Sequence, residues 1–295
     1  MGNYSSYKFI VNPAAGKRDP EKIINKINRI FKNDGPYFDI YITRGPGDAV
    51  RAAKQAAVNG TEVVVAVGGD GTVNEVVNGL VDSESLLAVI PTGTGNDFAQ
   101  TVNMPSDVEE ACRIILGGGV RAVDLGRVQG RSFINLVGVG FDGAVADLTN
   151  QRPKFLPGAW MYLISVIRTL MSYSPADMKI TLDQQTFSCT PLLVAVGIGQ
   201  TYGGGIRIVP GAVQDDGLFD ICVIDSISKG QAIYYLKKLL AGEHTNLEKT
   251  FFKRASYVKL QMERALPFHV EGEVLFSSEI EFTIKTRALE VVTGT

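Results

Sequence analysis

Histidine is almost missing from this chain: His244 and His269 are the only two in 295 residues. That excludes a histidine-rich metal centre and leaves a Ser-His-Asp hydrolase with little support. Cysteine is nearly as scarce. Cys112, Cys189 and Cys222 include no CxxC pair, and three thiols cannot all pair with one another. Reduced, structural thiols in a cytosolic protein are the expectation. No apolar run reaches the 18 or so residues of a membrane span. The nearest, 159–170, is broken by Arg168. An excess of one charge is also lacking, with 29 Lys and Arg against 31 Asp and Glu. Nothing in that balance draws the chain to nucleic acid, which usually meets a strongly basic face. The first residues lack the basic-then-apolar order of a secretory signal. Gly2 and Ser6 do fit the short myristoylation pattern. Despite 32 glycines there is no collagen-like or low-complexity period.

What remains is a globular composition, 45% apolar and 20% charged. At about 100–200 residues per domain, this length predicts two domains. The mean hydropathy of +0.10 suits a protein that touches apolar material. Up to about residue 120, strand and helix patterns alternate. Strands are expected at 8–11, 38–42, 63–67 and 86–90, with the last two buried on both faces. Helices are expected at 20–31, at 48–57 with Asp48 as N-cap, at 72–80 and at 107–116. This βαβα order argues for a parallel sheet with helices on both sides. Beyond residue 120 short strands dominate, at 122–128, 133–139, 179–182, 192–198, 218–224, 256–261, 268–270 and 279–284. Two helices, about 159–173 and 229–240, interrupt them. The second domain therefore reads as an antiparallel sandwich or barrel. The expected division is 1–128 and 129–284, with the tail 285–295 packing back on the first domain.

The clearest chemical signal is the run VVVAVGGDGTVNE at 63–75. A buried strand ends in glycines around one aspartate, and a helix starts at once. Glycines let backbone N–H groups approach an anion, and the helix start adds its positive end. A tight strand–helix turn would look the same. Asp70 changes the balance, because a carboxylate beside a phosphate cradle is repulsive unless a metal joins it. A second such loop, PTGTGNDFA, follows the strand at 86–90, and a third, NPAAGK, follows the first strand. Three in consecutive units point to a nucleoside triphosphate site. Neither a Walker A pattern nor a protein-kinase catalytic loop is present.

These loops resemble the diacylglycerol kinase catalytic domain family in its compact bacterial lipid-kinase form. The resemblance also takes in VDLG at 123–126, NLVGVGFDGAV at 135–145, DDGLFDICVI at 215–224, GEHT at 242–245 and EGE at 271–273. GGDGT alone is shared with NAD kinases and phosphofructokinase-like enzymes; PTGTGNDFA is what points to lipid kinases. The resemblance implies a nucleotide-binding α/β domain of phosphofructokinase or NAD kinase type, followed by a β-sandwich, with the active site between them. ATP would contact Asn12, Pro13, Ala14, Ala15 and Gly16; Thr43; Gly68, Gly69, Gly71, Thr72, Asn74 and Glu75; and Thr94 with Asn96. Asp70 would sit near the γ-phosphate and its Mg2+. Asp97 would help order the cleft, and Asp124 would lie at the domain junction. A structural magnesium would take Asp216 and the backbone oxygens of Val213 and Leu218.

In the family an Asp-Gly-Glu near the C-terminal end supplies the general base. Here it reads Glu271-Gly272-Glu273, so the implied base is Glu271, one methylene longer. The resemblance implies a kinase that phosphorylates a membrane-lipid hydroxyl, cytoplasmic and peripheral at the inner face of the membrane. It has no nucleic-acid partner, and a homodimer is open to it. A soluble NAD kinase-like enzyme and a catalytically silent lipid or nucleotide sensor are the competing readings. Trp160, Met161 and Tyr162 open a helix that suits either a core or a wall admitting acyl chains, with Arg152 and Lys154 beside it for anionic headgroups. His269 reads as a half-buried strand residue.

Overall fold

The computed structural model describes residues 4–32, 36–151 and 158–294. Gly2, Arg152 and Lys154 lie outside the described residues, as do the side chains of Trp160, Met161 and Tyr162. The first unit is β1 (Ser6–Val11), α1 (Pro20–Phe31), β2 (Tyr37–Ile42), α2 (Asp48–Val58), β3 (Val63–Gly68), α3 (Asp70–Leu80), β4 (Leu86–Pro91), α4 (Asp97–Thr101) and α5 (Val108–Gly117). Its strands run parallel in the order β4-β3-β1-β2. Every residue of β3 and β4 is buried, as their continuous apolar runs imply. Their carboxyl ends therefore share one edge of the sheet, where ligands of such sheets bind.

The second unit holds β5 (Gly119–Val128), β6 (Arg131–Phe133), β7 (Leu136–Gly140), α6 (Phe141–Asn150), α7 (Gly158–Ser172), β8 (Met178–Leu182), β9 (Gln185–Cys189) and β10 (Pro191–Gly197). It continues through β11 (Thr201–Tyr202), β12 (Ile206–Arg207), β13 (Phe219–Asp225), α8 (Lys229–Leu240), β14 (Thr250–Ala255), β15 (Tyr257–Val270) and β16 (Glu273–Thr293). Its strands pair antiparallel around a core of Phe133, Phe219, Phe268 and Phe282. An α/β domain followed by a β-sandwich is the architecture.

The two units are joined by hydrogen bonding as well as by chain. β16 pairs antiparallel with β15 and β5, and near its end Val291 pairs with Leu87 of β4. Leu289, Val291 and Val292 thereby enter the core of the α/β unit.

Several elements differ from the sequence reading. The strands expected at 256–261 and 268–270 are one strand, β15, with its register shifted between Gln261 and Leu266. The strand expected at 133–139 is split into β6 and β7, and an unexpected helix, α6, follows. Gly143 hides that helix from a periodicity reading, yet the helix needs it: a Cβ there would overlap the Pro267 carbonyl of β15. Asp48 does not cap α2. Gly47 takes the N-cap with φ 77°, and Asp48 is the first helical residue.

Candidate active site

Three glycine-bearing loops meet at the carboxyl edge of the parallel sheet. Asn12 donates from Nδ2 to Thr72 Oγ1 at 2.9 Å and accepts the Ala14 N–H at 3.0 Å, tying the NPAAGK loop to α3. Gly16 has φ 68°, and a Cβ on it would overlap the Thr92 carbonyl. A Cβ on Gly69 would lie 3.1 Å from Gly93 Cα, so the GGDGT and PTGTGNDFA loops touch backbone to backbone. Asn96, itself left-handed at φ 56°, accepts the Gly93 N–H and donates to the Gly93 carbonyl, both at 2.9 Å.

Asp70 stands in the first turn of α3, where the helix end favours a negative charge. Its Oδ1 accepts the Phe98 N–H at 3.2 Å. Burial, followed by the charge of nearby Asp97, raises its carboxyl above the ordinary aspartate value. Such a pair repels until a cation joins it, and that donor chemistry suits Mg2+. Among the described residues no cluster of three or more His, Cys, Asp or Glu marks a metal site. Asp97 in turn grips the other domain: it accepts the N–H groups of Gly204 at 2.8 Å and Gly205 at 2.7 Å. These glycines form the tip of the β11–β12 hairpin.

From the sandwich, Glu271 comes near enough to Asp70 for their charges to interact. Glu271 and Gly272, with φ 49° and 91°, form the two-residue turn between β15 and β16. Paired positive φ angles give the hairpin turn in which Asp-Gly and Asn-Gly are at home. The Glu271 carboxylate accepts the N–H groups of Asn135 at 2.7 Å and Ile134 at 3.2 Å, and Asn135 Nδ2 at 3.3 Å. Burial pushes its carboxyl up to about 7, against these hydrogen bonds and with help from the charge of Asp70. A carboxylate poised there can take a proton near neutral pH. The two carboxylates, one from each domain, are thus close enough to sense one another.

Residues 6–128 match the family described as "Diacylglycerol kinase catalytic domain". Residues 135–293 match that described as "YegS C-terminal NAD kinase beta sandwich-like domain". The diacylglycerol kinase of Bacillus subtilis strain 168 is 31% identical over 291 residues, covering 97% of this chain and 95% of the relative. The chain belongs to the diacylglycerol kinase family. That of Staphylococcus carnosus strain TM300 is 30% identical, covering 90% of this chain and 88% of the relative. A crystal structure of a diacylglycerol kinase from Bacillus anthracis str. Sterne superposes with a TM-score of 0.79 at 26% identity, covering 100% of this chain and 98% of the other. As a member of this family the chain is a phosphotransferase with an alcohol acceptor.

Within this diacylglycerol kinase-family site, the residues implied as ATP contacts fall into two groups. Asn12, Pro13, Ala14, Ala15, Gly16, Gly68, Gly69, Gly71, Thr72, Thr94 and Asn96 belong to the three loops that meet. Thr94 is exposed there. Thr43 is buried after β2, its N–H bonded to the Val11 carbonyl. Asn74 and Glu75 point to structural partners. Asn78 donates to Asn74, and the Glu75 carboxylate accepts the Gly47 and Ala49 N–H groups. Glu75 is thus the side-chain cap that α2 lacks from its own sequence.

The loop implied for structural magnesium is arranged differently from that expectation. Asp216 is ion-paired with Arg254 and accepts the Leu218 N–H at 3.1 Å. Arg254 also approaches Asp220 at 3.5 Å, and Asp220 Oδ2 is buried without a partner. The donor chemistry suits a hard cation, but as arranged the guanidinium is the positive partner, and a metal on Asp216, Val213 and Leu218 has to compete with it. Asp124 sits fully buried at the domain junction and accepts the N–H groups of Gly217 and Arg287, both at 2.7 Å.

Sequence reasoning missed the neighbours of Glu271. Asn135 stands in the NLVGVGFDGAV motif, and nothing local to it signals its bonds to Glu271. His269 is buried, not half-buried, and bonds to Asp142. The Gly203–Gly205 run was the one available signal for the hairpin that meets Asp97.

Proposed function

We propose that the chain is an ATP-dependent lipid kinase that phosphorylates the hydroxyl of a diacylglycerol-like membrane lipid, giving a lipid phosphate and ADP. The observation that carries this reading is the convergence of three glycine loops at the sheet edge, with Asp70 beside them and Glu271 of the other domain near enough for the two charges to interact. The loops offer backbone N–H groups to the phosphates of ATP, as glycine-rich strand–helix turns do. Mg2+ held by Asp70, with Asp97 beside it, would offset the charge that develops on the transferred phosphoryl oxygens. Glu271 accepts the proton of the lipid hydroxyl. The hydroxyl oxygen forms the new O–P bond, the bond from the γ-phosphorus to the bridging oxygen breaks, and ADP carries that oxygen away. Positioning by the two domains supplies much of the rate.

The lipid enters from a membrane surface, with the protein bound peripherally. No described helix is long and apolar enough to cross a membrane. The test is ADP release from Mg-ATP against mixed micelles of diacylglycerol, phosphatidylglycerol, a sphingoid base, ceramide or a polyprenol, with NAD as the soluble alternative. Release with one lipid class supports the reading and names the acceptor. Release with NAD alone overturns it, as does ATP binding without turnover on any lipid.

A further inference from the structure

His269 leaves β15 beside the Glu271 turn and is 4% exposed. Its Nε2 lies 2.9 Å from Asp142 Oδ2, at the start of α6. The other Asp142 oxygen accepts the Tyr202 hydroxyl at 2.7 Å. The Tyr202 ring stacks on the imidazole, with centroids 5.5 Å apart and planes 25° from parallel. No side chain fits at Gly138, where a Cβ would overlap both Asp142 and His269. Asp142 and His269 are thus buried together against Gly138, with Tyr202 half-buried over them.

The cluster touches both halves of the site. On one side His269 is two residues from Glu271. On the other, Tyr202 leads directly into the glycine tip whose N–H groups hold Asp97, next to Asp70. We propose that His269, clamped by Asp142 and Tyr202, is a positioning residue for Glu271: it fixes the end of β15 and ties the Glu271 turn, through the β11–β12 hairpin, to Asp97. The proposal rests on the reading of Glu271 as the base.

The charges agree with this arrangement. The groups facing Glu271 are Asp70 of α3, the Ile134 and Asn135 amides before β7, and His269 of β15. Those facing His269 are Asp142 of α6, Tyr202 of β11 and Glu271. Burial by itself lowers the imidazole, but Asp142, by charge and hydrogen bond, and Glu271 raise it above the ordinary histidine value. Coupling is reciprocal, so a protonated His269 favours the ionised form of Glu271.

The experiment follows Glu271 directly, by carboxyl 13C NMR with Glu271→Gln as the assignment control, in the wild type and in His269→Gln. The expected result is a rise of the Glu271 midpoint by about half a pH unit. The acid limb of kcat/KM for lipid should rise with it. An unmoved midpoint together with a lowered Tm makes the cluster structural only and overturns the proposal. If His269→Gln does not fold, Tyr202→Phe removes one hydroxyl and keeps the ring. It is expected to lower kcat about threefold to tenfold with KM for ATP unchanged, because it slackens one hydrogen bond in the link. An unchanged kcat overturns the proposal. A midpoint shift in a protein that phosphorylates no lipid keeps the coupling and removes the kinase reading, so the two failures are distinguishable.

Discussion

Asp97 of the α/β domain accepts the backbone N–H of Gly204, in the sandwich, at 2.8 Å. Its other oxygen takes the Gly205 N–H at 2.7 Å. Asp97 is buried, so these charge-assisted bonds are little screened by water. Asp97→Asn turns one acceptor into a donor facing an N–H. The expected cost is about 1–3 kcal/mol of stability. Hydrogen exchange at Gly204 and Gly205 should quicken more than at β3, which lies deep in the other core. Equal loss of protection at both places would mean that Asp97 supports its own domain and does not join the two.

Glu271 has a pH signature of its own. Its carboxyl is raised from 4.5 to about 7. The folded protein therefore holds that proton more tightly than the unfolded chain does. The stability this provides is fully present below about 4.5 and is lost as pH rises through about 7. Asp70, also raised, adds in the same direction. Urea midpoints at pH 5, 6 and 8 should favour Glu271→Gln over the wild type progressively as pH rises. Activity runs the opposite way, since the base works when ionised: kcat/KM should climb to a plateau above about pH 7. Glu271→Gln should lower kcat by about a hundredfold or more. Glu271→Asp should lie between, because aspartate suits the positive-φ turn but retracts from the Asn135 and Ile134 N–H groups.

The sequence carried the first domain well, for a physical reason. β3 and β4 are buried on both faces, so their apolar runs are unbroken, and the glycine loops after them are dictated by close backbone contact. The sandwich was harder to read. β16 runs from Glu273 to Thr293, yet Lys285, Thr286 and Arg287 interrupt its alternation, and Arg287 turns to φ 46° where the register with β5 shifts. A strand that leaves one core and enters another has no single periodicity to detect. The site was half legible in the same sense. Asp70 and Glu271 stand in local motifs, whereas His269 meets a partner 127 positions away. Glu75 looked like part of the phosphate loop because it follows it, but its carboxylate serves α2.

The contact between Gly16 and Thr92 makes the phosphate edge sensitive to a single methyl group. Gly16→Ala must accommodate a positive φ and an overlap with backbone oxygen, neither of which a side-chain rotation relieves. The expected strain is about 1–3 kcal/mol. It should be relieved by spreading the NPAAGK and PTGTGNDFA loops, so ATP affinity should fall about tenfold. Gly45→Ala is the matched control, since a Cβ there meets nothing within 4 Å. It should leave both Tm and ATP affinity unchanged. Equal effects from the two substitutions would show that loop stiffness and not the Gly16–Thr92 contact governs binding.

Arg254 holds Asp216 and Asp220 together at the rim of the sandwich. Burial raises the Asp220 carboxyl, Arg254 lowers it, and Asp216 raises it. Removing the guanidinium in Arg254→Ala leaves two carboxylates side by side, one with a buried oxygen that has no partner. Tm should fall, and millimolar Mg2+ should restore it by an amount that grows with the logarithm of its concentration. Potassium at the same ionic strength should not. The wild type is the decisive comparison, because magnesium can also bind at Asp70. If the loop takes metal only when Arg254 is gone, the Mg2+ increment in the variant exceeds that of the wild type. If the increments are equal, the cation either binds Asp216 beside the arginine or binds elsewhere, and Asp216→Asn in the wild type separates the two by abolishing the increment only in the first case.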